Sequence, residues 1–316
     1  MLTSLLLSLA FAQSAGETPP TEGTPVPEAP VAPPEPEVDP LLGEPYTASR
    51  KGQVKPGSKY WDLEVLYHQQ KNLEGAELAE KRYRETGDPH LTLFVARSYY
   101  QYLEGNEEIT DKKERMEIYE RALAVLEEGM AKAPEDVHLK FAYGVLMGRI
   151  GTTRGVLASL RTADDIENAW LATVNSDYQY ASIGLQEELP CDGYLALGIF
   201  YRLVPDSWLV KAISGTKGDL DKSLEMQEKG AKCAGDRVRN LKELAVTQMC
   251  IGTKRGQPEL IEAGRKNINH YLSLPPSTQA EVVDFKHGAL LLGNPDMACG
   301  YSRDGQQDLD EAKIQK

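Results

Sequence analysis

Apolar residues recur every three or four positions along most of the chain. Three stretches show this spacing clearly: LTLFVARSYYQYL at 91–103, ERMEIYERALAVLEEGM at 114–130 and DGYLALGIFYRLV at 192–204. The spacing places apolar side chains on one face of an α-helix, and no comparable stretch alternates as a half-buried strand does. Turn-forming residues interrupt the pattern at 87–89, 134–136, 190–192, 235–236 and 275–276. We therefore expect an all-α fold from Tyr60 onward, with helices joined by short connections.

Internal repeats favour a solenoid of helix pairs. The first-helix signature of a tetratricopeptide repeat is met by Tyr194, Leu197, Gly198 and Tyr201. Its second-helix signature, a small, a large and a small residue followed by proline, is met by Ala122, Leu126, Gly129 and Pro134. Weaker units contain Gly144 and, further on, Ala263 and Pro275. The sequence predicts a superhelix of four to five tetratricopeptide-like helix pairs.

Two of these units have lengthened connections between their helices. Tyr100 and Ala122 are 22 residues apart, and so are Tyr201 and Ser223. The corresponding interval is about nine residues in the standard repeat, so each unit contains the same 13-residue extension. In the second unit, Gln227 occupies a position where the repeat favours a large apolar residue.

The second extension, RLVPDSWLVKAISGTKG at 202–218, is unusually apolar for a connection. Its apolar residues either pack over the edge of the repeats or meet a ligand, and the sequence leaves both possibilities open. We take the concave or tunnel face as the candidate surface for a ligand or partner, and we assign it five residues: Tyr194, Phe200, Tyr201, Trp208 and Leu209.

The N-terminus predicts export. Residues 1–12 combine an apolar run with an Ala-Phe-Ala pattern that a signal peptidase accepts. Residues 13–46 are acidic and rich in proline, which predicts a disordered linker. Residues 47–316 then form a single all-α repeat domain, and no other segment has the apolar length of a transmembrane helix.

The charge balance bears on possible partners. The net charge is −13, whereas a nucleic-acid-binding protein needs a basic face for the phosphates. We therefore expect no nucleic acid partner.

The four cysteines contain no C-x-x-C pair, which argues against a zinc knuckle or a thioredoxin-type site. In an exported chain their even number favours disulfides. Cys191 begins a first helix and Cys233 ends its antiparallel partner, while Cys250 and Cys299 fall at corresponding ends of neighbouring helices. We predict the pairings Cys191–Cys233 and Cys250–Cys299.

The stretch ISGTKGDLDKSLEMQEKG at 213–230 has a superficial likeness to a phosphate-binding loop. In a P-loop, lysine directly follows the second glycine and a strand precedes the loop. Here Gly218 lies four residues before Lys222 in a helical context, so we expect Asp219 to cap a helix instead. The five histidines show no metal-site spacing. We predict no catalytic, cofactor-binding or metal-binding residues, and we do not expect an enzyme.

The segment DGYLALGIFYRLVP…GTKGDLDKSLEMQEKGAKC, within 192–233, resembles the T component of tripartite periplasmic (TRAP) transporters, the TatT family. The resemblance implies an all-α superhelix enclosing an apolar tunnel. It also implies association with the periplasmic solute-binding subunit of the transporter.

Three functional hypotheses follow. The leading one is an exported, non-catalytic helical-repeat protein, in the periplasm of a Gram-negative bacterium, that binds a partner protein and a small apolar ligand. The partner in this hypothesis is an envelope protein such as a solute-binding subunit. The alternatives are a structural scaffold of an envelope complex without a ligand, and an enzyme.

Overall fold

Helices account for about three quarters of the chain that the computed structural model describes, which is residues 51–52, 54, 56–106, 109 and 111–313. The predicted signal peptide (1–12) and linker (13–46) lie outside the described residues. Within that described part there are twelve α-helices: α1 (Trp61–His68), α2 (Asn72–Thr86), α3 (Leu91–Gly105), α4 (Lys112–Lys132), α5 (Val137–Arg154), α6 (Ala163–Val174), α7 (Cys191–Leu203), α8 (Trp208–Ser214), α9 (Leu220–Ala234), α10 (Val238–Arg255), α11 (Pro258–Leu272) and α12 (Gln279–Gly293).

The helices pack in sequence order as antiparallel pairs. The five pairs are α1–α2, α3–α4, α5–α6, α7–α9 and α10–α11, with the short α8 inserted in the fourth pair and α12 following the fifth. The prediction of an all-α superhelix of four to five helix pairs is confirmed.

Small residues lie where paired helices approach most closely. A Cβ placed on Gly129 of α4 would lie 2.1 Å from the Thr92 hydroxyl of α3, and one on Gly198 of α7 would lie 2.4 Å from Gln227 of α9. In the fifth pair the close contact is at Gly264, against Met249, and not at the predicted Ala263. The register is therefore one residue later in α11 than the sequence signature indicated.

Gln227 is fully buried although the repeat favours an apolar residue there. Its amide donates a hydrogen bond to the carbonyl of Leu195 at 3.1 Å. Because a buried amide is costly unless it is paired, this bond explains how α9 accommodates the polar side chain against α7.

The two extensions have equal lengths but different structures. The first is largely absorbed by longer helices, since α3 ends at Gly105 and α4 begins at Lys112 with Asp111 as its N-cap. The second contains α8, which begins after the N-cap Ser207 and packs against a 3-10 helix at Val156–Thr162. The equal 22-residue intervals therefore predicted the two insertions but not their conformations.

The glycine-rich stretch before α9 is a structural turn. Gly215 adopts φ = 76°, a left-handed conformation suited to glycine, at the end of α8. A Cβ on Gly218 would lie 1.7 Å from the carbonyl oxygen of Val204. Asp219 caps α9 by accepting hydrogen bonds from the amides of Asp221 and Lys222. The expected helix cap is thus present.

Two disulfides join Cys191 to Cys233 and Cys250 to Cys299, the pairings expected from the repeat order. The first connects the start of α7 to the end of α9, and the second connects α10 to the segment that follows α12. Disulfides persist in oxidising compartments, so the two disulfides indicate a protein that folds outside the cytoplasm.

The C-terminal part of the chain returns to the early helices. Helix α12 packs against α3, and Arg303 donates hydrogen bonds to the backbone carbonyl and the carboxylate of Glu104. Two small sheets complete the fold: β1 (Lys51–Gly52), β2 (Gln179–Ala181) and β3 (Glu188–Leu189) form one, and β4 (Tyr301–Ser302) and β5 (Gly305–Gln306) form the other. The returning C-terminal segment places Ser302 and Arg303 in the wall of a cavity inside the superhelix.

Across the part of the chain that the structure describes, no helix combines the length and apolar character needed to cross a bilayer.

Candidate functional site: a central cavity

The cavity inside the superhelix has a volume of about 180 Å³. Its walls come from α3, α5, α6, α7 and α10, from the 3-10 helix at Val156–Thr162, and from the segment after α12. At roughly 10–15 Å³ for each water-sized group, the space suits a molecule of roughly twelve to eighteen non-hydrogen atoms.

One part of the wall is apolar and comes mainly from α5, α6 and α7. The indole of Trp170 on α6 contacts the ring of Phe200 on α7 edge-on, with 6.1 Å between centroids. Trp170 lies against α5, where a Cβ on Gly144 would come within 2.5 Å of its Nε1 atom. Leu146, Ile166, Leu195, Ile199 and Leu203 extend the same apolar wall. The small residue at Gly144 therefore makes room for the indole that shapes the cavity.

Another part of the wall is charged and includes residues of α3 and α10. Arg97 on α3 forms ion pairs with Glu64 and, at 3.2 Å, with Glu187. Burial alone would raise the pKa of Glu187, but His138 and Arg97 together lower it to about 2. This carboxylate is therefore ionised at neutral pH.

A second charged cluster centres on Glu104, near the end of α3. Its carboxylate lies 2.8 Å from Arg149 and 3.0 Å from Arg303. Burial alone would raise the pKa of Glu104, and the surrounding guanidinium groups, those of Arg149 and Arg303 foremost, lower it to about 2. The cluster separates the cavity from a second, more polar one of about 300 Å³, whose wall shares Glu104, Arg149 and Arg303.

A third cluster surrounds Lys242 on α10, which is 1% exposed. Its ammonium lies 2.5 Å from Asp284 and 2.9 Å from Glu243, and Glu243 in turn lies 3.0 Å from Arg202. Burial alone would lower the pKa of Lys242, but the carboxylates of Asp284 and Glu243 raise it well above its usual range. Lys242 therefore remains a cation within a neutralising network.

Only one of the five candidate residues lines the cavity. Phe200 does so; Tyr194, Tyr201, Trp208 and Leu209 do not. Tyr194 and Tyr201 lie on the α9 side of α7, where their rings meet Lys229 and Lys222 respectively. Trp208 is 79% exposed on α8. The five residues therefore do not form one surface. Aromatic residues lie on two faces of α7, and the face towards the cavity carries Leu195, Ile199 and Phe200.

The sequence patterns did not predict the charged part of the wall. Arg97, Glu104, Arg149, Lys242 and Arg303 stood out in no motif, since each has at least one ion-pair partner far along the chain. The sequence of α10 does contain one indication of this charged wall. Arg239, Lys242 and Glu243 are spaced so that their charges lie on one face of that helix.

The described residues include no group of His, Cys, Asp and Glu side chains suited to holding a metal ion. The arrangement is suited chemically to enclosing a molecule with an apolar body and a polar end.

No protein-family model matches the chain. No curated protein matches it either.

Proposed function

We propose that this chain is an exported, non-catalytic helical-repeat protein that binds a small apolar molecule in the central cavity. The observation that supports this best is the concave apolar wall formed by Trp170, Phe200 and their neighbours on α5, α6 and α7. Ligand sites are typically concave and mostly apolar, with a few polar groups that orient the ligand. The N-terminal sequence and the two disulfides support a location in the periplasm of a Gram-negative bacterium.

The test is binding of the neutral fluorescent probe N-phenylnaphthylamine. Ile199 is partly buried and lines the cavity, so Ile199→Asp places a carboxylate in the apolar wall. Ile213 is 43% exposed on α8 and supplies the matched control Ile213→Asp. We expect a saturable fluorescence increase with the native chain, its loss in Ile199→Asp and its retention in Ile213→Asp. The absence of probe binding to the native chain would contradict the proposal.

We also propose a partner protein, which is supported by a separate observation. Trp208 is 79% exposed and Ile213, on the same short helix, is 43% exposed. Large exposed apolar side chains are candidates for an interaction surface, and tryptophan is enriched among the residues that dominate binding energy. The resemblance in the sequence points to a periplasmic solute-binding subunit as the partner.

Affinity capture from the native periplasm tests this second proposal. We expect the mature chain to retain a solute-binding protein and Trp208→Ser to lose it, since the substitution removes the most exposed aromatic ring of the helix. Equal recovery with both chains would exclude this face as the contact.

A further inference from the structure

The cations around the cavity differ in whether they have an ion-pair partner. Five of the six that line it have a carboxylate oxygen within 4.0 Å: Arg97, Arg149, Arg202, Lys242 and Arg303. Among the described residues, Arg239 is the sixth, and its guanidinium has no ion pair or hydrogen bond. Among these six described cations, Arg239 alone has no carboxylate oxygen within 4.0 Å, so its charge is available to a ligand.

Arg239 lies on α10, one helical turn before Lys242 and Glu243. Its guanidinium carbon lies 5.6 Å from the centre of the Tyr100 ring on α3. The carboxylates that act on it through space are paired elsewhere. Asp192 pairs with Arg237 at 3.1 Å, and Asp284 pairs with Lys242 and Arg303. Glu104 pairs with Arg149 and Arg303. The Arg239 side chain is partly buried at the cavity wall. An arginine keeps its charge in such a setting, and a partly desolvated charge without a close partner is unfavourable. A bound anion would reduce this cost.

Tyr100 provides a neutral donor beside this cation. It lines the cavity, and its hydroxyl takes part in no hydrogen bond with the residues that the structure describes. Burial raises the pKa of Tyr100, so the phenol keeps its proton at neutral pH and can donate it. A guanidinium and a phenol at one position suit a carboxylate, which accepts two hydrogen bonds from the arginine fork and a further one from a hydroxyl.

We propose that the ligand is a medium-chain monocarboxylate, with its head group on Arg239 and Tyr100 and its chain against the apolar wall. This inference rests on the proposed function and specifies its ligand class. The single unpaired cation favours one negative charge, since a second would face Glu104, Glu187, Asp192 and Glu243 on the same walls. The cavity volume of about 180 Å³ accommodates roughly twelve to eighteen non-hydrogen atoms, and decanoate, with about twelve, falls in this range.

Decanoate and decanol form a matched pair of probes, because they share the chain and differ in the head group. Their affinities are measured by displacement of N-phenylnaphthylamine from the native chain, Arg239→Gln and Tyr100→Phe. The control is Arg255→Gln, the same substitution at an exposed arginine of the same helix. Thermal unfolding of each variant checks that it is folded.

We expect the native chain and Arg255→Gln to bind decanoate at least about tenfold more tightly than decanol, as a charge-assisted hydrogen bond implies. In Arg239→Gln the affinity for decanoate should fall to that for decanol, and the affinity for decanol should not change. Tyr100→Phe should weaken decanoate binding by a few fold.

Equal affinities in the native chain would overturn the inference and leave the proposed function standing. If neither probe binds, the proposed function fails as well. If Arg239→Gln does not fold, the ratio of affinities in the native chain and in Tyr100→Phe decides the question.

Discussion

Glu104 and Glu187 are buried carboxylates whose ionised forms are stabilised by neighbouring cations. Both have a pKa of about 2 in the folded protein, below the usual value of 4.5. A carboxylate whose pKa is lower in the folded state stabilises the fold above its unfolded pKa, and this contribution is lost as pH falls through the folded pKa. We expect the free energy of unfolding, measured with urea, to decrease steeply as the pH falls from about 5 towards 2.

Glu104→Gln tests this account. The substitution leaves Arg149 and Arg303 without their shared carboxylate, so we expect a loss of about 3–5 kcal/mol at pH 7. The dependence on pH should also become shallower. The control is Glu120→Gln, which removes a half-exposed ion pair with Arg154 and should cost no more than about 1 kcal/mol. An unchanged pH dependence in Glu104→Gln would contradict the assignment.

At the scale of elements, the packing of α5 against α6 depends on Gly144. A Cβ there would meet the Trp170 indole at 2.5–2.9 Å, and a rigid ring cannot yield without moving. We expect Gly144→Ala to destabilise the protein by about 1–3 kcal/mol and to weaken N-phenylnaphthylamine binding, because the displaced indole moves within the cavity wall.

Gly293→Ala is the matched control for that substitution. Nothing lies within 4 Å of a Cβ at Gly293, the last residue of α12. Its unfolding free energy should stay within about 0.5 kcal/mol of the native value, and probe binding should not change. Similar effects of the two substitutions would show that the contact with Trp170 is unimportant.

The helix pairs and the cysteine pairings could be predicted from the sequence because they depend on local spacing. Tyr194, Leu197, Gly198 and Tyr201 identify one helix and its contact with the next within about a helical turn or two. The choice of face on α7 could not be predicted in the same way. Apolar side chains cover both sides of that helix, and only the later helices decide that Phe200 faces the cavity while Tyr201 does not.

At the scale of the whole molecule, the cavity exists because distant segments meet. Arg303 reaches Glu104 across a separation of 199 residues, and Arg149 reaches Asp304 across 155. No motif records such pairs, since each partner is an ordinary surface-type charge in its own segment of the sequence. The solenoid was therefore predictable from repeats, whereas its closure by α12 and the C-terminal segment was not.

The central claim is that the cavity carries a small organic ligand. Native mass spectrometry of the chain, isolated without detergent from the cells that naturally produce it, tests this most directly. We predict a non-covalent adduct with the mass of a small organic acid on the native chain, and its loss in Ile199→Asp. A chain that carries no adduct and takes up neither decanoate nor decanol would contradict the account.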